Sequence, residues 1–138
     1  ITLTANTLQA LNGGQVTTTS FTSGKAGNIS VNVADSITLA GSDSTYAQRL
    51  ATFGRTTVRS GGPASGLYAN TSENSTGAGG ELQINAGRLI VQDGAQVNVS
   101  NRGTGSAGNL TIAADSLRLN NSGSLRAESR AGSQGNIT

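Results

Sequence analysis

The chain contains no cysteine, histidine, methionine or tryptophan, and only two tyrosines and two phenylalanines among its 138 residues. Without cysteine there are no disulfides and no thiolate sites, and the lack of histidine as well removes nearly every transition-metal constellation. Charge of one sign is also lacking, because nine basic and seven acidic residues leave a formal +2. Nucleic-acid binding would call for a clustered basic face with aromatic platforms, so no nucleic-acid partner is expected. No apolar run approaches membrane-spanning length, and no basic stretch precedes an apolar one, so the sequence shows neither a span nor a signal peptide. With 20 glycines, one proline and 3% aromatic residues, little is available for a thick conventional core.

What is present is a repeat. Ala26-Gly27-Asn28-Ile29-Ser30-Val31-Asn32-Val33-Ala34-Asp35-Ser36-Ile37-Thr38-Leu39 recurs as Ala107-Gly108-Asn109-Leu110-Thr111-Ile112-Ala113-Ala114-Asp115-Ser116-Leu117-Arg118-Leu119. Gly79-Gly80-Glu81-Leu82-Gln83-Ile84 opens a further copy, and Ile1-Thr2-Leu3 begins inside one. From the first apolar residue of each copy, Ile1 to Ile29 and Leu82 to Leu110 are both 28 apart, and Leu110 to Ile137 is 27. Ile29 to Leu82 is 53. A third marker, Gly14-Gln15-Val16, Gly66-Leu67, Gly94-Ala95-Gln96-Val97 and Gly123-Ser124-Leu125, appears once per unit, so the long gap is read as one unit with an insertion at about residues 42–65.

Apolar residues alternate with Thr, Ser and Asn, which is a strand signature and not a disordered one. The expected fold is all-β: a right-handed parallel β-helix, a solenoid with three short strands per coil, about 27–28 residues per coil and about four coils. Ile29, Val31 and Val33, then Ile37 and Leu39, then Leu67 and Ala69 would point inward, with Leu82, Ile84, Leu110 and Ile112 stacked on them. Asn28, Asn109 and Asn136 would form an amide ladder at one corner, interrupted by Glu81. A β-sandwich also suits alternating Leu and Ile, but three strands recurring in register per unit speak against it. Residues 1–138 are expected to be a single segment cut from a longer solenoid, with raw strand edges prone to end-to-end self-association.

The Ala-Gly-Asn-(Ile/Leu)-x-(Val/Ile), Ala-Asp-Ser-(Ile/Leu)-x-Leu and Gly-x-(Val/Leu) strands with Ser/Thr/Asn-rich connections resemble the filamentous-haemagglutinin-like exoproteins of two-partner secretion, particularly large surface proteins of cyanobacteria. The resemblance covers all but the insertion and rests on repeat character. The Asn-Pro-Asn type signature of that family's secretion domain is absent, Pro63 being the only proline. The resemblance implies a non-enzymatic structural or adhesive rod segment of a secreted, cell-surface protein of a Gram-negative-type bacterium. It further implies an outer-membrane transporter during export; the uncapped repeat strands call for more coils of the same protein as neighbours, and Arg49, Arg55 and Arg59 suit cell-surface or extracellular anionic glycans.

No catalytic, metal or cofactor residues are expected. Asp35, Asp43, Glu73, Glu81, Asp93, Asp115 and Glu128 are dispersed, and Asp35 and Asp115 read as corner residues accepting backbone N–H groups. The alternative is a carbohydrate-active lyase or hydrolase with an active site partly outside this chain, and two carboxylates and an arginine converging in one groove would mark it. Calcium-binding repeats and flat threonine arrays of the ice-binding kind find no consistent pattern, and of the Asn-x-Ser/Thr triplets only the looped Asn70 and Asn74 are open to modification. Specificity is expected in the insertion, where Tyr46, Arg49, Phe53, Arg55 and Arg59, with Tyr68 just beyond, concentrate aromatic and basic residues. Tyr46, Leu50 and Phe53 at i, i+4 and i+7 predict a short helix docked apolar side down.

Overall fold

A computed structural model describes residues 1–58 and 62–138. The strands are β1 (Thr2–Leu11), β2 (Gln15–Ser20), β3 (Ile29–Ala40), β4 (Gly66–Thr71), β5 (Leu82–Gln92), β6 (Gln96–Asn98), β7 (Leu110–Leu119) and β8 (Ser124–Arg126), and helix α1 (Tyr46–Thr57) lies between β3 and β4. They form two four-stranded parallel sheets, ordered β1-β3-β5-β7 and β2-β4-β6-β8. Each repeat gives one strand to each sheet. Ile29 lies opposite Leu82, and Leu82 opposite Leu110.

The expected right-handed β-helix with three strands per coil is therefore corrected to two separate parallel sheets, and α1 corrects the all-β class; the solenoid description goes with it. The reason is local. The Ala-Asp-Ser segment does not end a strand: β3 runs through it, and the ladder only shifts register between Val33 and Ser36. Ala34 and Asp35 together face the single residue Gly87, where a methyl group would come within 2.7 Å of the Asp35 carbonyl oxygen. An extra residue absorbed as a bulge bends a strand without breaking it. Two predicted strands thus become one long strand, and among the described residues no third sheet forms.

The remaining connections, with Ser, Thr, Gly and Asn, carry paired glycines instead. Gly24, Gly77, Gly105 and Gly132 stack repeat over repeat, as do Gly27, Gly80, Gly108 and Gly135 three residues later. In each column a methyl on one glycine would run into the carbonyl oxygen of the glycine before it. Backbones this close leave no room for any side chain, which is the use of glycine here.

The core lies between the sheets. Ile29, Val31, Ile37 and Leu39 of β3 and Leu82, Ile84, Leu89 and Val91 of β5 join Leu67 and Val97 of the second sheet in one apolar cluster, each 0 or 1% exposed. On the outer edge the same columns open: Leu117 and Leu119 of β7 are 46% and 44% exposed. The sheets are joined by tight corners that use left-handed backbone, at Asn12-Gly13, Asp93-Gly94 and Asn121-Ser122. The asparagine ladder expected at residues 28, 109 and 136 takes another form. The Asn28 side-chain oxygen accepts the Glu81 N–H at 3.0 Å and that of Asn109 accepts the Asn136 N–H at 3.1 Å, so these side chains stitch backbones. The amide-to-amide bond is instead on the sheet face, from Asn85 Nδ2 to Asn32 Oδ1 at 2.7 Å.

Candidate functional site

The insertion leaves β3 at Gly41 and returns beside its exit, because Ser42 and Ala64 form an antiparallel bridge and the Asp43 N–H donates to Pro63 O at 2.8 Å. Asp43 organises the start of α1. One carboxylate oxygen accepts the Thr45 N–H at 2.8 Å and the Thr45 hydroxyl at 2.7 Å, and the other pairs with Arg49. The Thr45 hydroxyl and then the Arg49 guanidinium hold the Asp43 carboxyl below the usual aspartate range. Gly54, at φ 70°, breaks the helix within its last turns.

Of the six residues singled out in the sequence, the five that are described do not converge. Tyr46 is half-buried, Arg49 is engaged by Asp43, and Phe53 and Arg55 are exposed, Phe53 to 58%. Phe53 therefore does not seat on the sheets as the i, i+4, i+7 spacing predicted. Tyr68 is buried in β4, 1% exposed, with its hydroxyl donating to Ala64 O at 2.9 Å. Burial pushes its pKa up to about 12. Arg59 lies outside the described residues.

A second constellation, missed in the sequence, lies at the other end of the second sheet, beyond the C-terminal ends of β4, β6 and β8. There Glu73, Arg102, Arg126, Glu128 and Arg130 line a groove of about 270 Å³ with Asn98, Ser100, Asn101 and Ser129. The grouping comes from two segments that leave β6 and β8, residues 98–102 of one repeat and 126–130 of the next. Asn98 is the partner of Arg126, and Asn101 of Ser129, so the two rows stand side by side with Arg102 next to Arg130.

The floor of the groove is fixed by its own hydrogen bonds. Buried Asn101 donates from Nδ2 to Gly77 O at 2.7 Å and to Ser106 O at 3.0 Å, and its oxygen accepts the Gly103 N–H at 2.8 Å. Those bonds clamp the loop that carries Arg102. Ser100 is 7% exposed and its hydroxyl accepts the Glu128 N–H at 3.2 Å. Gln134 holds the backbone of Ser129 on both its N–H and its carbonyl, just before Arg130. The charged rim is different: among the described residues the ion pairs are Lys25 with Glu81 and Arg49 with Asp43, and no ion pair joins the five charged side chains of the groove.

The signal for this site was in the repeat itself. Arg102 and Arg130 are 28 residues apart, the period that places them in adjacent repeats, but neither has an aromatic neighbour to draw attention to it. The corner acids behave otherwise: the Asp35 carboxylate accepts the Ser36 hydroxyl at 3.3 Å, and Gly87 stands between Asp35 and Asp115 in the sheet. Among the described residues no group of three or more His, Cys, Asp or Glu side chains is placed to hold a metal ion. Comparison with family models, with curated proteins and with solved structures found no match to this chain, so the resemblance to haemagglutinin-like exoproteins, and the export that it implies, draws no support from them.

Proposed function

We propose that this chain is a non-enzymatic structural and adhesive segment of a secreted bacterial surface protein. The observation that carries the reading is that the repeating residues are spent on stacking. The aliphatic columns are 0 or 1% exposed at Ile37, Leu39, Ile84, Leu89 and Val91 in the middle of the stack, glycine columns bring backbones into contact, and charged side chains are left to the outside. Open apolar edges at β1 and β7, where Leu11 is 43% exposed and Leu119 44%, support end-to-end association with further copies of the repeat. Beads coated with the protein should adhere to cells or glycan-coated surfaces, and incubation with neutral or acidic polysaccharides should release no reducing ends. Failure to adhere would remove the adhesive role.

One observation favours a second reading, a carbohydrate-active enzyme: Glu73 and Glu128 line the same groove as three arginines. Paired carboxylates are the minimum equipment for glycoside cleavage. Sustained release of reducing ends or unsaturated products, abolished by Glu73→Gln or Glu128→Gln, would establish that reading and overturn the first.

A further inference from the structure

We infer that the groove bounded by Glu73, Arg102, Arg126, Glu128 and Arg130 is a binding site for a carboxylate-bearing polysaccharide, a chain of uronic acid units. The inference deepens the adhesive reading by naming its ligand class, and it rests on that reading only for the biological use of the site.

The first support is a local imbalance. Three arginines and two glutamates leave one net positive charge in the groove. Arg102 and Arg130 follow the paired residues Asn101 and Ser129, so they stand on neighbouring backbones about 4.8 Å apart. Like charges directly opposite each other on adjacent strands are destabilising. No carboxylate of the chain lies within ion-pair distance of either guanidinium among the described residues. An anion placed between them would relieve the repulsion and accept charge-assisted, bidentate hydrogen bonds from both.

The second support is that the backbone carrying these charges is already ordered. Asn101 clamps the Arg102 loop from inside, the Arg102 N–H donates to Thr71 Oγ1 at 3.2 Å, and the Arg130 N–H donates to Asn101 O at 3.0 Å. A ligand therefore has to order side chains but not loops, and a preorganised site loses less entropy on binding.

The third support selects the chemistry. Glu73 and Glu128 accept hydrogen bonds well from hydroxyl groups, which every uronic acid unit carries beside its carboxylate and polyglutamate lacks. Arginines for the acid group and carboxylates for the hydroxyls together match a uronic acid unit. The groove is open and has no aromatic side chain in its lining, which disfavours stacking of nucleobases.

The test uses the whole chain in native gels cast with polygalacturonate, with dextran or with polyglutamate. Migration should be retarded by polygalacturonate only, and about 0.5 M salt should weaken the effect, since exposed charge pairs are screened. Replacing both arginines in Arg102→Ala/Arg130→Ala should weaken binding about tenfold or more. Equal or tighter binding to polyglutamate would show a general anion patch and overturn the inference, as would full binding by the folded double variant. Should that variant unfold, Arg130→Ala alone, on an exposed side chain, answers the same question. Retained polygalacturonate binding without adhesion to cells would uphold this site while removing the adhesive reading.

Discussion

Leu89 and Leu117 are the same residue in the same column of the same sheet, yet one is 0% exposed and the other 46%. Val91 and Leu119 repeat the contrast at 0% and 44%. The difference is not in the residue or in its own strand but in how many neighbours the strand has: β5 lies between β3 and β7, whereas β7 has a full strand on one side only. Helix α1 extends the series, since its described side chains are exposed or at most half-buried. Burial in this molecule is conferred by the adjacent repeat, as in any stack whose units cannot cover their own apolar faces.

The sharpest way to break the comparison is a charge inside and outside the stack. Ile84→Asp places an unpaired carboxylate at a position that is 0% exposed and should destabilise by about 4 kcal/mol or more, enough to unfold a marginal domain. Leu117→Asp, in the open column, should stay near 1 kcal/mol. Equal shifts in urea midpoint would mean that the interior and the edge do not differ as described.

Backbone contact gives the next effect. Gly108→Ala drives a methyl into the Gly80 carbonyl and should lower stability by about 2 kcal/mol, as overpacking does. At Gly24 a methyl would meet nothing within 4 Å, and Gly24→Ala should be within about 0.5 kcal/mol of the parent. A melt in which the two variants coincide would remove the glycine columns as a constraint.

Tyr68 tests a polar tip inside the stack. Its folded pKa, about 12, lies above the ordinary tyrosine value of 10.0, so the neutral form is favoured by folding. The associated stability is complete below pH 10 and is lost as pH rises toward 12. Tyr68→Phe should flatten that alkaline decline in denaturant midpoint, and an unchanged slope would show that the phenol does not drive it.

Smaller still is the effect of removing the insertion. Excising 44–61 keeps the Ser42–Ala64 bridge and should change stability by less than about 1 kcal/mol, because a shortened surface loop alters closure entropy only slowly. Loss of the strand signal in circular dichroism would show that α1 supports the sheets. The smallest effect belongs to Asp43→Asn. The lowered carboxyl pKa makes a contribution that is present above the ordinary aspartate range and lost as pH falls through it, so the variant should differ from the parent at pH 7 and converge with it near pH 2.

The repeat made the register and most of the core legible, because alternation at a 28-residue period names partners such as Leu82 and Leu110 without any structure. The insertion was equally plain as a break in that period. Strand number was not legible: that Ala34-Asp35 bulges within a strand and does not end one shows only in its pairing with Asn6 and Gly87, the single residues that face it from β1 and β5. The groove was not legible for a related reason. Aromatic and basic residues clustered along the chain mark the insertion, whereas Glu73, Arg102 and Arg130 are brought together only by stacking.

The glycine columns also act as proofreaders of assembly. Every repeat presents two glycines three positions apart, and each must meet its counterpart in the repeat before it. A strand that docks one residue out of step would bring a side-chain-bearing residue such as Ala78, Ser106 or Ser133 to a place where only hydrogen fits. Aliphatic columns forgive such errors poorly because a one-residue slip inverts the faces, but a two-residue slip restores the alternation and would pass that check. The spacing of three does not divide by two, so it rejects the error that hydrophobic patterning alone would accept.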